Sequence, residues 1–284
     1  MQKTTTKPIL ERIQEALEAA GRTLGSFVPG AVPSSQKSSG RGPVTEADRA
    51  VNRVLREMLL QDGEGWLSEE STDNLARLEK SHVWVVDPLD GTLEFVAGIP
   101  EWCVSVGWVA HGRAMAGGVY NPTTRELFLG SRSTGVTYNG KPVDVSKIDS
   151  LMDAAVLASR TEIERGEWDS FLNTPLNIRP TGSIAYKLAL VAAGLADATW
   201  TLCPKSEWDV AAGVALVESA GGFVQTLDGS SLMFNRWPPL LSGLVAGGAG
   251  LRAEVTSFLS SPRVVARHGP GLASRHSRQK HNRQ

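Results

Sequence analysis

Apolar positions recur at helical spacing over Ile9–Leu24, and again over residues 46–60 after Thr45, which predicts two amphipathic helices. Residues 25–42 between them are rich in Gly, Ser and Pro and predict a loop, with Lys37 inside it. Residues 83–145 show short β-branched runs broken by tight-turn residues, which predicts strands, and a short helix starts near Gly91. Asn139-Gly140 predicts a two-residue hairpin turn between Val136-Thr137-Tyr138 and Pro142-Val143-Asp144. The rhythm then changes. Strands are expected at 154–159, 177–179, 198–201 and 223–226, and helices at 161–173, 182–193 and 209–220. That change suggests two parts, 1–150 and 151–262. Residues 263–284 lack Asp and Glu, carry Arg263, Arg267, Arg275, Arg278, Lys280 and Arg283, and read as a disordered basic tail.

Composition fits a soluble enzyme. The chain has 284 residues, 41% hydrophobic and 21% charged, and a net charge of -1. This gives no push toward nucleic acid polymers, and no apolar run approaches a membrane span. The N-terminus has no signal-peptide core. Cys103 and Cys203 are too few for a disulfide framework and read as reduced core thiols of a cytoplasmic protein.

The candidate chemistry is acidic. Val83-Trp84-Val85-Val86 reads as a buried strand running straight into Asp87-Pro88-Leu89-Asp90-Gly91-Thr92. Two carboxylates held close raise each other's pKa unless a cation neutralises them, and oxygen-rich clusters suit Mg²⁺. Gly91 permits a tight turn, and Thr92 offers a hydroxyl and an N–H at a helix start, which suits phosphate. Further acids stand at Glu69-Glu70, at Asp48 and at Asp209. Taken one at a time, each also fits a local role. Thr45 with Asp48 fits a capping box, Asp209 an N-cap, and the paired glutamates a solvated turn.

Taken together and in order, these segments resemble the inositol monophosphatase superfamily from about Pro43 to about Val245. The core signature Asp-Pro-x-Asp-Gly-Thr matches Asp87–Thr92, and Trp-Asp-x-Ala-x-Gly matches Trp208–Gly213. Glu69-Glu70, Thr45-x-x-Asp48 and Gly118-Val119-Tyr120-Asn121-Pro122 complete the set. The resemblance implies an α/β fold, the αβαβα five-layer sandwich of the inositol monophosphatase and fructose-1,6-bisphosphatase type, in a homodimer. It implies a Mg²⁺-dependent, Li⁺-sensitive phosphatase acting on a small phosphorylated substrate with two Mg²⁺, and a third held more loosely near Glu69. Asp87 would bridge the two ions. Glu69 and the Leu89 carbonyl would complete one ion's ligands, and Asp90 and Asp209 the other's. Thr92, polarised by Asp48, would take a proton from the attacking water, and Glu70 would orient water or Glu69. Lys37 falls where the family often has a mobile loop lysine. Asp90, Gly91, Thr92 and Asp209 would face the substrate.

On substrate, Glu207 directly before Trp208 departs from the inositol-specific pattern, in which an acid stands a few residues earlier. Lys187 falls where bisphosphate nucleotidases carry a lysine for the second phosphate, with Ser183 beside it; Lys187 equally fits the polar side of a helix whose apolar face is Ile184, Leu188 and Val191. The sequence leans to a 3'(2'),5'-bisphosphate nucleotidase, with an inositol-1-monophosphatase or another sugar phosphatase as the alternative. A haloacid-dehalogenase-type phosphotransferase needs Asp-x-Asp, with both acids on one side of a strand at period two, and Asp87 and Asp90 stand one residue too far apart for that.

Overall fold

A computed structural model describes residues 8–36 and 43–260. Lys37 and the basic tail lie outside the described residues. In chain order the elements begin with α1 (Ile9–Leu24), β1 (Ser34–Gln36), β2 (Pro43–Thr45), α2 (Glu46–Leu59) and β3 (Gly65–Ser68). Then come β4 (His82–Asp90), α3 (Thr92–Ala97), β5 (Cys103–Ala110), β6 (Arg113–Asn121), β7 (Glu126–Ser131), β8 (Gly135–Tyr138) and β9 (Lys141–Val143). The chain continues through β10 (Ala155–Ala158), α4 (Arg160–Glu164), β11 (Asn177–Pro180), α5 (Ile184–Ala192), β12 (Ala198–Thr201), β13 (Lys205–Ser206) and α6 (Glu207–Ser219). It closes with β14 (Gly222–Gln225), β15 (Leu240–Leu241), β16 (Leu244–Gly248) and α7 (Arg252–Leu259).

Strands β3 to β9 form one sheet in sequence order, with β3 parallel to β4 and the remaining pairs antiparallel. A second sheet has the order β11-β10-β12-β16-β14. The packing clusters stack these into layers. Ile13 and Leu17 of α1 and Val51 and Leu55 of α2 pack with Trp84, Val86, Val104 and Val106 on one face of the first sheet. Val83 and Val85 of the opposite face meet Leu188 of α5 and Val210, Val214 and Leu216 of α6, which also cover Val224, Leu244 and Ala246 of the second sheet. The outer face of that sheet, with Val156, Trp200 and Val245, is closed by Trp168, Phe171 and Val255. The period of two along β4 therefore sorts its side chains between two apolar helical layers, which explains a strand buried almost throughout. The result is the five-layer α/β sandwich expected from the resemblance.

Helix α6 sits against the first sheet with almost nothing between. A Cβ built on Gly117 would come 2.5 Å from the Ala212 carbonyl oxygen, and one on Gly107 would come 2.9 Å from the Ala211 Cβ.

Three expectations need correction. The helix expected over 161–173 is only α4. It stops because Gly166 turns into the left-handed region at φ +74, after which Trp168 and Phe171 reach the core through turns. Residues 34–36, expected in a loop, pair as β1 with β2. Cys203 is half-buried rather than a core thiol, whereas Cys103 is buried; both are free.

Candidate active site

The central feature is a bulge. Asp87 pairs with Ser105 and Asp90 with Cys103, so β4 spends three steps where β5 spends two. In a regular strand, side chains three apart point to opposite faces; one extra residue at Pro88-Leu89 returns the second acid to the side of the first. Pro88 has no N–H to lose from the ladder. Asp87 accepts the Leu89 N–H at 2.9 Å, and Asp90 accepts the Ser183 hydroxyl at 2.6 Å and the Ala185 N–H at 2.7 Å. After Asp90 the chain turns at Gly91, φ +93, where a Cβ would strike the Glu101 carbonyl oxygen at 2.9 Å, and α3 begins at Thr92.

Glu69 follows β3, which lies parallel to β4, and its N–H donates to the Val86 carbonyl at 3.4 Å. Asp209 comes from the middle layer. It stands in the first turn of α6, and its carboxylate accepts the Ser206 N–H at 2.8 Å, so the capping box uses Asp209 as the reaching acid and Ser206 as the cap. The expectation of Asp209 as an N-cap is thus off by three positions. On α2 the capping box of Thr45 and Asp48 also forms, with the Asp48 Oδ2 accepting the Thr45 N–H at 2.8 Å and hydroxyl at 2.6 Å. The capping box leaves the second oxygen of Asp48 for another partner. Its Oδ1 lies 3.3 Å from the Thr92 hydroxyl, which also reaches the Leu89 carbonyl at 3.0 Å.

The electrostatics tie the acids into one cluster. Burial, then Glu69, Asp90 and Asp209, push the Asp87 carboxyl well above the usual carboxylate range. Burial, then Asp90 and Glu69, push Asp209 up to about 8. Asp90 is raised by burial, offset in part by the Ser183 and Ala185 hydrogen bonds. Four acids from β4, α6 and the turn after β3, with Asp87 buried and Glu69, Asp90 and Asp209 half-buried, make an all-oxygen donor set that a hard divalent cation fits. Another acidic group, Glu162 with Glu167 and Cys203, is already balanced. Glu162 takes the Thr201 hydroxyl at 2.5 Å and the Lys205 ammonium at 3.0 Å, and Glu167 takes Arg165 at 2.7 Å and the Cys203 thiol at 2.9 Å.

Lys187 does not stand open to a substrate. Its side chain is 2% exposed, its Nζ lies 3.4 Å from the Thr181 carbonyl, and burial, then Lys205, lower its pKa to about 8. The placement expected for a distal phosphate contact is therefore not the one observed, and neither is a helix-surface lysine. α5 is apolar nearly all round, with Ser183 capping it by accepting the Tyr186 N–H at 3.0 Å. Glu70 sits beside Glu69, in the turn that Asn52 holds by donating to the Glu70 carbonyl at 3.4 Å.

A cleft of about 270 Å³ opens beside Glu69, walled by Trp208, Trp237, Pro238 and Leu240, with Ser71 and Ser206 among its polar groups. The Trp237 loop was not anticipated from the sequence. Its signals were an acid directly before Trp208 and the rigid run Trp237-Pro238-Pro239. Glu207, 1% exposed, accepts the Asn235 and Arg236 N–H groups at 2.7 and 2.9 Å. Arg77, 2% exposed, donates to the Asn235 side-chain oxygen at 2.8 Å and the Arg236 carbonyl at 3.0 Å.

The sequence profile of the inositol monophosphatase family matches residues 6–261. An inositol-1-monophosphatase from Mesorhizobium japonicum is 33% identical over 266 residues, 89% of this chain and 97% of that protein. The Nus factor SuhB of Pseudomonas aeruginosa is 32% identical over 79% of this chain and 87% of its own length. Among solved structures, the extragenic suppressor protein suhB from Bartonella henselae superposes with a TM-score of 0.74 at 29% identity, covering 89% of this chain and 98% of that one. An IMPase from Thermotoga maritima gives 0.76 at 26% identity, covering 90% and 97%. A profile match across most of the chain, relatives above 30% identity over most of its length and a shared five-layer fold leave one assignment: this chain belongs to the inositol monophosphatase family, whose members are phosphatases that hydrolyse phosphate monoesters.

Proposed function

We propose that the chain hydrolyses a small phosphate monoester by attack of water, with Glu69, Asp87, Asp90, Asp209 and the Leu89 carbonyl as the groups that would hold Mg²⁺. The observation that carries this reading is the gathering of half-buried Glu69, Asp90 and Asp209 around the buried Asp87, whose carboxyl they push up, beside the Thr92–Asp48 contact. Mg²⁺ bound there supplies charge neutralisation of the ester oxygens and a more acidic water. Everything else falls to the chain. Thr92 stands between Asp48 and the Leu89 carbonyl, so its hydroxyl can take a proton from water as Asp48 accepts its own. The Gly91 and Thr92 N–H groups, at the start of α3, would be the donors for phosphate oxygens. Ser183 and the Ala185 N–H hold Asp90 in one orientation, and Glu70 supports Glu69.

The names of the relatives make inositol 1-phosphate the first ester to test. A specific taste for bisphosphates has no support from Lys187, whose ammonium is buried against Thr181. The test is phosphate release from inositol 1-phosphate, adenosine monophosphates and 3'-phosphoadenosine 5'-phosphate with Mg²⁺ and with EDTA. Release that persists at full rate in EDTA, or no release from any ester with Mg²⁺, would remove the proposal.

A further inference from the structure

We infer that Glu101 is a positioning residue of the acid site: clamped by Arg160, it holds the turn at Gly182-Ser183 in the shape that fixes the Asp90 carboxylate. The inference rests on the phosphatase reading for its link to Mg²⁺.

The turn calls for a cause. Ser183 stands at φ +51 and ψ 120, outside the regions that a residue with a side chain ordinarily occupies. Such a conformation persists only where its surroundings over-determine it. What it achieves is the grip on Asp90. The Ser183 hydroxyl donates to Asp90 Oδ2 at 2.6 Å, and the Ala185 N–H, in the first turn of α5, donates to the same oxygen at 2.7 Å. The hydroxyl also accepts the Tyr186 N–H at 3.0 Å, so one serine caps the helix and orients the acid. If Ser183 relaxed to an ordinary φ, both donors would swing away from the Asp90 carboxylate.

The anchor of that conformation is the residue before Ser183. The Gly182 N–H donates to Glu101 Oε2 at 2.7 Å, a short charge-assisted bond. Glu101 lies between α3 and β5, and its carboxylate is itself locked. Arg160, the first residue of α4, donates through Nε to Oε2 at 2.8 Å and through Nη2 to Oε1 at 2.7 Å. Two parallel bonds of this kind fix the plane of a carboxylate as well as its place. An acid that served only to tie α4 to the start of β5 would be complete with Arg160. The third bond, to Gly182, is the one that reaches the site.

The backbone of Glu101 acts at the same two places. A Cβ built on Gly182 would come 2.7 Å from the Glu101 carbonyl oxygen, and one on Gly91 would come 2.9 Å from it. Gly91 makes the turn that follows Asp90, and Gly182 opens the turn that grips it. One residue wedged between the two turns thus sets where the Asp90 carboxylate can stand. Removing a group that orients a metal-ligating side chain typically costs about 10- to 100-fold in metal affinity.

The experiment measures Mg²⁺ binding to the metal-free protein by calorimetry, and amide hydrogen exchange in EDTA, in wild type, Glu101→Leu, Glu101→Gln and Val255→Ala. Val255 is buried in the outer cluster, so its truncation lowers stability without touching the turn. Glu101→Leu should weaken Mg²⁺ binding about 10-fold or more. Its Ala185 amide should lose protection while the sheet strands keep theirs. Glu101→Gln keeps an acceptor for the Gly182 N–H and should recover most of the affinity, and Val255→Ala should leave it unchanged. Should Glu101→Leu not fold, Arg160→Met breaks the clamp from its half-exposed end and is read in the same way. Mg²⁺ affinity equal in wild type and Glu101→Leu, or lost equally in Val255→Ala, overturns the inference. If wild type binds no Mg²⁺ and releases no phosphate, the phosphatase reading falls and the exchange of Ala185 decides alone. Protection lost in Glu101→Leu and kept in Val255→Ala then supports the clamp on Asp90, and any other pattern overturns it.

Discussion

The Thr92 hydroxyl lies 3.3 Å from Asp48 Oδ1, across 44 residues of sequence and between two helix starts. Each residue was placed there by its own local structure, Thr92 by the turn at Gly91 and Asp48 by the capping box with Thr45. The pair is therefore available for proton transfer without further rearrangement. Thr92→Ala should lower kcat by about 10²- to 10⁴-fold, the usual worth of a positioned proton acceptor. Thr92→Ser keeps the hydroxyl and should recover most of that loss. Steady-state kinetics on the best ester, with Mg²⁺ saturating, decides it; an active Thr92→Ala would remove Thr92 from the proton path.

Asp87→Asn should act in opposite directions on activity and on stability. Losing this anionic ligand should cost about 10³-fold or more in turnover. The metal-free protein, however, loses a buried acid that repels three others, so its melting temperature in EDTA should rise above that of wild type. The two measurements together separate a metal ligand from a merely structural aspartate, whose removal would lower both.

Stability of the metal-free protein should fall as pH rises. Asp209 ionises near 8 in the folded chain against an ordinary value of 3.8. A raised folded value means that its contribution is full below the unfolded pKa and is lost as pH climbs through the folded one. Between pH 6 and 8 the melting temperature in EDTA should therefore drop, and the gain on adding Mg²⁺ should grow. Scanning calorimetry at several pH values, with and without Mg²⁺, reads both slopes. A metal-free melting temperature that is flat or rising over that window contradicts the charge cluster.

Lys187→Met tests the buried ammonium. Its pKa is lowered from 10.5 to about 8, so the wild type loses stability as pH falls from the first value to the second. The neutral variant escapes this loss. As pH falls through that window its stability relative to wild type should rise, and below the window level off, by at most about 3 kcal/mol, read from the difference in melting temperature. If Lys187 instead met a distal phosphate, the variant would lose kcat/KM on 3'-phosphoadenosine 5'-phosphate selectively, which its burial argues against.

What could be read from the sequence was what short-range physics determines. The apolar spacing of Ile9–Leu24 gave that helix to the residue, and the acid-bearing end of β4 announced itself through Val83-Trp84-Val85-Val86. The helix expected at 161–173 was misread because Trp168 and Phe171 keep a helix-like spacing while reaching the core through turns beyond Gly166. Burial of Lys187 was hidden by its chemical type, since lysine in a helix is ordinarily a surface residue. The Trp237 wall was hidden by distance. Its fastening joins Arg77 to Asn235 across 158 residues, and no local pattern encodes such a pair.

The contact of α6 with Gly107 and Gly117 has a consequence for ion choice. Asp209 rides on that helix, while Asp87 and Asp90 ride on the sheet beneath it. The gap between the two sets of oxygens is thus ruled by an absence of atoms, two glycines where any other residue would act as a shim. Coordination distances discriminate among ions within roughly 0.2 Å, and Mg²⁺ wants about 2.0–2.1 Å where Ca²⁺ takes about 2.3–2.6 Å. A single methyl group at Gly117 would lift the helix by more than that tolerance. The calibre of the proposed metal site, and with it the ion such a site would prefer, depends partly on a backbone contact that none of its carboxylates makes.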